Sequence, residues 1–232
     1  MSKRDDLRGT RKGTVINVDS NKMENRLSLA LEQVKESLST KVQAKVEHNQ
    51  SVYITQIAQN LNSDYPGLKI DFHFQNTFLK PDGGIIYAIG KSGKKHVLLI
   101  SEAKRQGTNN LRADEGLPKQ AKGNAIERLG KNVIGFRMWL SAESIFPFVV
   151  FGEGVDFAPD SSILDRVSTI AMFAPLNTVE VRNVGQNHQF GRGSFFFRVE
   201  AWTQREMVEI LNRVVNESLT YYLEKYGQEE FN

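Results

Sequence analysis

The chain has 232 residues, 40% of them hydrophobic, no cysteine and a formal charge of +3 with a sequence pI near 9.0. That length and apolar content suit one sizeable core, and the lack of cysteine excludes disulfides, zinc–cysteine centres and thiol catalysis. No early apolar stretch reads as a signal peptide or a bilayer span, so an intracellular, soluble protein is expected.

Residues 1 to 22 are polar, with Lys3, Arg4, Arg8, Arg11 and Lys12 among few apolar groups, and predict a flexible basic arm ahead of one domain over residues 23 to 232. Leu27, Leu31, Val34, Leu38, Val42 and Val46 recur at helical spacing and predict a helix from Met23 to about Asn49. A second helical stretch carries Val52, Ile57, Ala58 and Leu61. Past the turn at Tyr65-Pro66-Gly67, Leu68, Ile70, Phe72 and Phe74 alternate with Lys69, Asp71, His73 and Gln75, which predicts a half-buried strand. Lys80-Pro81-Asp82-Gly83-Gly84 leads into a strand over Ile85 to Ile89, and Lys91-Ser92-Gly93-Lys94 turns the chain into an apolar strand, His96 to Ser101, that ends in Glu102-Ala103-Lys104.

Residues 106 to 122 are too irregular to assign. The helical period returns from Asn124 with Ile126, Leu129, Val133, Phe136 and Leu140. Pro147 to Gly152 reads as a buried strand, Ile163, Leu164, Val167 and Ile170 mark a helix, Ser194 to Trp202 alternates as a strand, and Glu206 to about Tyr226 forms a last amphipathic helix. Strands interleaved with helices predict an α/β three-layer fold with a mixed central sheet flanked by helices. His48, His73, His96 and His188 lack metal-ligand spacing and read as surface groups or solvated strand ends.

On a strand, alternate side chains share a face, so Glu102 and Lys104 project together and Ala103 projects the other way. Phosphodiester hydrolysis needs an attacking water, charge stabilisation at phosphorus and help for the leaving oxygen. Asp82, Glu102 and the carbonyl of Ala103 make a partial shell for magnesium (Mg2+), which takes a few carboxylate oxygens and retains several waters. Lys104 would orient or help to deprotonate the water and neutralise phosphate charge. Each residue alone has an ordinary explanation: Asp-Gly is a common turn pair, and Glu-x-Lys is common strand surface. From Lys104 to Arg137 the chain carries eight basic residues against Asp114, Glu115 and Glu127, which places positive potential beside the candidate site.

Gly123-Asn124-Ala125-Ile126-Glu127-Arg128 has two readings. Asn124 and Glu127 make a variant capping box that starts a helix. A helix end entering the major groove would instead present Asn124 to adenine, Ala125 to a thymine methyl and Arg128 to base acceptors, with Glu127 holding Arg128.

Lys-Pro-Asp-Gly-Gly-Ile from Lys80, Glu-Ala-Lys-x-Gln-Gly from Glu102 and Gly-Asn-Ala-Ile-Glu-Arg from Gly123, in that order, resemble the EcoRI restriction endonuclease family, with the MunI enzymes more distant. The resemblance continues through Asn62 to Pro66, Phe146 to Gly154 and Ser162 to Arg166, roughly residues 60 to 175. It implies a type II restriction enzyme of the PD-(D/E)XK fold in the bacterial cytoplasm: a homodimer that uses Mg2+ to cut both strands of palindromic double-stranded DNA. Asp82, Glu102 and Lys104 match the family's catalytic residues, and Gly123 to Arg128 its segment for an inner AATT, with cleavage leaving 5′ overhangs. A cognate adenine DNA methyltransferase is the implied functional partner. Where the family has two arginines in a later recognition helix, this chain has Arg166 and Thr169, and Gln120, next to Ala121, replaces an apolar residue near the outer base pair. The chain is also shorter before Lys80. These departures imply a relaxed outer pair, such as purine-AATT-pyrimidine. A repair or junction-resolving nuclease with the same triplet, or a DNA-binding module without catalysis, are the alternatives that the residues leave open.

Overall fold

The computed structural model describes residues 15–72, 75–107, 116, 124–182 and 191–232. Most of the expected arm, residues 1–14, lies outside these, as do Gln120, Ala121, Gly123, His73 and His188.

Helix α1 spans Val15–Lys41 and buries Met23, Leu27, Ala30, Leu31, Val34 and Leu38 along one stripe. It starts ahead of the expected Met23 and stops short of Asn49, because Lys45–Asn49 is strand β1. Val42, Ala44 and Val46 lie two apart as well as near helical spacing, so the period was ambiguous, and pairing of β1 with the next long strand decided it. Strand β2 (Val52–Tyr53) pairs with β3 (Phe78–Leu79), and helix α2 (Ile54–Asp64) lies between them in sequence. Of the strand expected from Leu68, none forms over the described residues 68–72, and Phe74 lies with His73 outside the described residues. Lys69 is left-handed at φ 50, which breaks the extended run, and Leu68 and Phe72 are exposed. The side chain of Asn62 takes the place of a neighbouring strand, accepting from Ile70 N–H at 2.7 Å and donating to its carbonyl at 2.8 Å.

Strands β4 (Gly84–Ile89) and β5 (Lys95–Arg105) pair antiparallel, and β5, β6 (Phe148–Glu153) and β7 (Ser194–Arg198) run parallel. The order is β1-β4-β5-β6-β7, a mixed sheet. Helices α3 (Asn124–Trp139) and α4 (Ile163–Ile170) precede and follow β6, and α5 (Gln204–Tyr226) closes the fold behind a Thr203–Glu206 capping box.

Two cores flank the sheet. One packs α1 and α5 against Ile86, Ala88, Val149, Phe151 and Phe196; the other packs α2, α3 and α4 against Ile85, Tyr87, Phe148, Val150, Phe195 and Phe197. Neighbours along each strand thus divide between opposite faces, as the pleat requires. Strand β5 breaks the pattern once. Ile86 pairs with Leu99 but Tyr87 with Val97, so Leu98 is an extra residue, and Leu98 and Leu99 both enter the α1–α5 core. Beyond this bulge Ala103 faces α1 and α5, while Ile100 joins the α3 core.

His96 is not a solvated strand end. It is 1% exposed and enclosed by the tilted rings of Tyr222, Tyr226 and Phe231 at about 5 Å, with Nε2 3.1 Å from Glu230 Oε1. The last turn of the chain folds over it, which the local pattern around His96 does not reveal.

Candidate active site

The turn ahead of β4 is built by its glycines. Gly84 N–H donates to Pro81 O at 3.1 Å with Gly84 at φ +78, and a Cβ on Gly83 would lie 2.2 Å from Ser101 Oγ and against Leu27 and Leu31 of α1. The turn therefore lies directly on β5, held by Gly83 N–H to Ser101 O at 2.9 Å and by His48 Nε2, 2.8 Å from Gly83 O. This seating brings Asp82 to the end of β5. Its backbone N–H donates to Glu102 Oε2 at 3.1 Å, and its Oδ2 accepts from Ala103 N–H at 3.3 Å.

Lys104 Nζ donates to Asp82 Oδ2 at 2.6 Å and also to Glu102 Oε1. The three side chains expected together are thus within one hydrogen-bonded cluster. Glu102 is 2% exposed, and burial raises its carboxyl pKa, opposed by the Lys104 charge and reinforced by Asp82. Burial acts against the Lys104 ammonium, but Glu102 and Asp82 outweigh it and hold its pKa above the ordinary lysine value. Lys104 is therefore an ammonium at neutral pH in the DNA-free protein. No group of three or more His, Cys, Asp or Glu side chains among the described residues is arranged to hold a metal. The donors present are two carboxylates and a backbone carbonyl, a set that suits a hard cation completing its shell with water and phosphate oxygens.

Three further residues escaped the motif reading. Asn132, on α3, donates through Nδ2 to both Glu102 oxygens at 3.3 Å. Glu24, on α1, has its pKa raised by desolvation and by the negative charge of Asp82, with Lys104 opposing. Its position one turn before Leu27, on the helix under the Asp82 turn, was the available signal. Glu153, at the end of β6, is fully buried and accepts from Arg26 Nη2 at 2.8 Å on both oxygens, from Arg105 Nη1 at 2.9 Å and from Trp202 N–H at 2.9 Å.

The expected reading segment is described from Asn124 onward. Asn124 opens α3, Ala125 is half-buried, and Glu127 and Arg128 are exposed. Arg166 and Thr169 lie on α4, both exposed, and the Thr169 hydroxyl donates back to Asp165 O at 2.9 Å. Helices α3 and α4 pack together on the face of the sheet that carries Glu102.

Comparison with known proteins gives the family. A family model described as restriction endonuclease EcoRI matches residues 10–163. The type II restriction enzyme RsrI of Cereibacter sphaeroides is 29% identical over 196 residues, 70% of this chain and 71% of that enzyme. The type II restriction enzyme EcoRI of Escherichia coli is 33% identical over 142 residues, 57% of this chain and 51% of that enzyme, so the chain spans about half the length of that relative. No described helix is long and apolar enough to cross a membrane. With this sheet, this cluster and these relatives, the chain belongs to the EcoRI restriction endonuclease family, among the type II site-specific deoxyribonucleases.

Proposed function

We propose that the protein cuts both strands of a palindromic duplex with an AATT core, using Mg2+ and leaving 5′ overhangs. The observation that carries this is the convergence of Asp82, Glu102 and Lys104 on the side of the sheet where α3 begins with Asn124-Ala125-Ile126-Glu127-Arg128. Asp82, Glu102 and the Ala103 carbonyl would hold the metal, which supplies Lewis-acid stabilisation of the phosphate and a more acidic bound water. Lys104, as an ammonium, orients the attacking water and offsets charge on the phosphate oxygens. Residues 123–128 read the inner bases, and Gln120, next to Ala121, belongs with the outer pair. Arg166 and Thr169 face the outer pair. A single arginine there leaves one bidentate contact worth about 1 to 3 kcal/mol, so the outer pair is relaxed, as in purine-AATT-pyrimidine. N6 methylation of the inner adenine by a cognate methyltransferase blocks the contact of Asn124, and the pair of enzymes works in the bacterial cytoplasm.

Cutting both strands of a palindrome calls for two copies related by a twofold axis. An apolar groove of about 550 Å³ between α3 and α4, lined by Gly130, Val133, Ile134, Met138, Ile170 and Met172, supplies the pairing face. Ile134 is 72% exposed, and Phe173 beside the groove is 76% exposed. Met172 and Phe173 are both left-handed, φ 53 and 59, a strained arrangement that holds the Phe173 ring outward for a partner.

Digesting a plasmid library with the purified protein and Mg2+ and sequencing the ends tests the reading. Ends mapping beside AATT in both strands are expected; cuts without AATT, or only at branched junctions, overturn it. Lys104→Ala should bind the same duplex and not cut it, and unchanged cutting refutes the role of Lys104. Charge placed in the groove by Ile134→Asp with Met138→Asp should leave a monomer in sedimentation; an unchanged dimer shows that pairing uses another face.

A further inference from the structure

Arg128 and Asn132 are four positions apart on α3, hence on one helix face, and they lie in different surroundings. Arg128 is exposed, in the segment proposed to read bases, whereas the Asn132 amide reaches both oxygens of Glu102 at 3.3 Å. The other hydrogen-bond donors to Glu102 among the described residues are Asp82 N–H and Lys104 Nζ, from the turn and from β5 itself. Asn132 is thus the contact by which a helix outside the sheet touches this carboxylate.

We propose that Asn132 is a positioning residue that couples base reading by α3 to the placement of the Glu102 carboxylate. The proposal rests on the reading of residues 123–128 as the base-contacting segment. An α-helix is stiff along its axis because each turn is tied to the one before it, so seating its first turn on DNA moves Asn132 with it. The contact is at the long end of hydrogen-bonding distance, and a movement of about 0.5 Å brings it near the usual 2.9 Å or takes it out of range. On the correct site the amide closes on Glu102 and fixes both oxygens. On a site altered at one base pair, α3 seats differently, the amide parts from the carboxylate, and Glu102 is left to Lys104 Nζ and the Asp82 N–H. Recognition then acts on the rate of cutting as well as on binding.

The test compares the full chain as wild type, Asn132→Ala and Asn132→Asp, the last keeping the side-chain shape without the donor. Single-turnover cleavage is followed on the preferred duplex and on the same duplex altered at one base pair, and binding to the preferred duplex is measured in EDTA. Both variants should cut the preferred duplex roughly 30- to 100-fold more slowly, the scale expected for a misplaced group, and slow little on the altered duplex. The ratio of the two rates should therefore collapse while binding stays within about 3-fold, a loss of roughly 0.6 kcal/mol at most. Equal slowing on both duplexes marks a merely structural residue and overturns the proposal, as does no slowing on either. Should Asn132→Ala fail to fold, Asn132→Asp gives the same two readings. A wild type that leaves AATT duplexes intact refutes the proposed function instead, and the Asn132 comparison is then made on the duplex that it does cut.

Discussion

Glu102 and Glu153 stand at the same end of the sheet, on neighbouring parallel strands, 2% and 0% exposed, yet they are held in opposite ways. Glu153 is met from α1 by Arg26, from β5 by Arg105 and from the main chain at Trp202, so rigid guanidinium forks and an amide close around it. Glu102 lies on the α3 face and shares one lysine with Asp82, beside long contacts to Asn132. Two carboxylates around one ammonium leave a negative excess, which attracts a cation; two arginines around one carboxylate leave none to fill. Burial of an acid is therefore no guide to chemistry here. The number and kind of its partners decide.

The comparison breaks most easily at Lys104. Lys104→Ala or Glu102→Gln should lower cleavage by about 10³-fold, the scale of losing a group that stabilises the transition state, without unfolding the protein. Timed plasmid digestion beside a thermal melt reads both effects, and a folded Glu102→Gln that cuts normally would remove the distinction. Glu153→Ala should act the other way round. Removing the buried carboxylate that Arg26 and Arg105 share costs about 3 kcal/mol of stability, seen in urea unfolding, and a loss below about 1 kcal/mol would show that the cluster is not structural.

Glu102 should also differ from a half-buried acid, Glu206, in its response to pH. The raised pKa of Glu102 means that the folded protein binds this proton more tightly than the unfolded chain does. Its contribution is fully present below the ordinary 4.5 and is lost as pH rises through the raised value, so Glu102→Gln should flatten unfolding free energy measured in steps above 4.5. Glu206 is the opposite case: the hydrogen bonds from Arg198 lower its pKa from 4.5 to about 2. That contribution is present above 4.5 and lost as pH falls toward 2, and Glu206→Gln should remove the slope there. The smallest effect is expected at the start of the same helix, where Thr203→Ala, which removes the cap to Glu206 N–H, should cost about 1 kcal/mol in the same unfolding assay.

Much of the site was legible because its geometry is local. Alternation along a strand puts Glu102 and Lys104 on one side whatever the rest of the chain does, and Pro-Asp-Gly-Gly can only be a tight turn. The helices at residues 124, 163 and 204 showed a clean period, whereas Val42 to Val46 fits both periods and Leu68 to Phe72 alternates without a partner strand to pair with. His96 looked solvated because the ring cluster around it comes from residues more than a hundred positions away.

The sequence by itself determined the chemistry on offer: an acid-bearing turn, an acid and a lysine on one strand face, and a helix start suited to bases. Which face that is came from the tertiary structure, because the extra residue at Leu98 inverts the alternation of β5 and turns Glu102 toward α3. The same fold set Glu24 near Asp82, brought the Asn132 amide to Glu102 and closed two arginines on Glu153. These are contacts between segments far apart in the chain, fixed by helix packing across the sheet, and no local spacing encodes them.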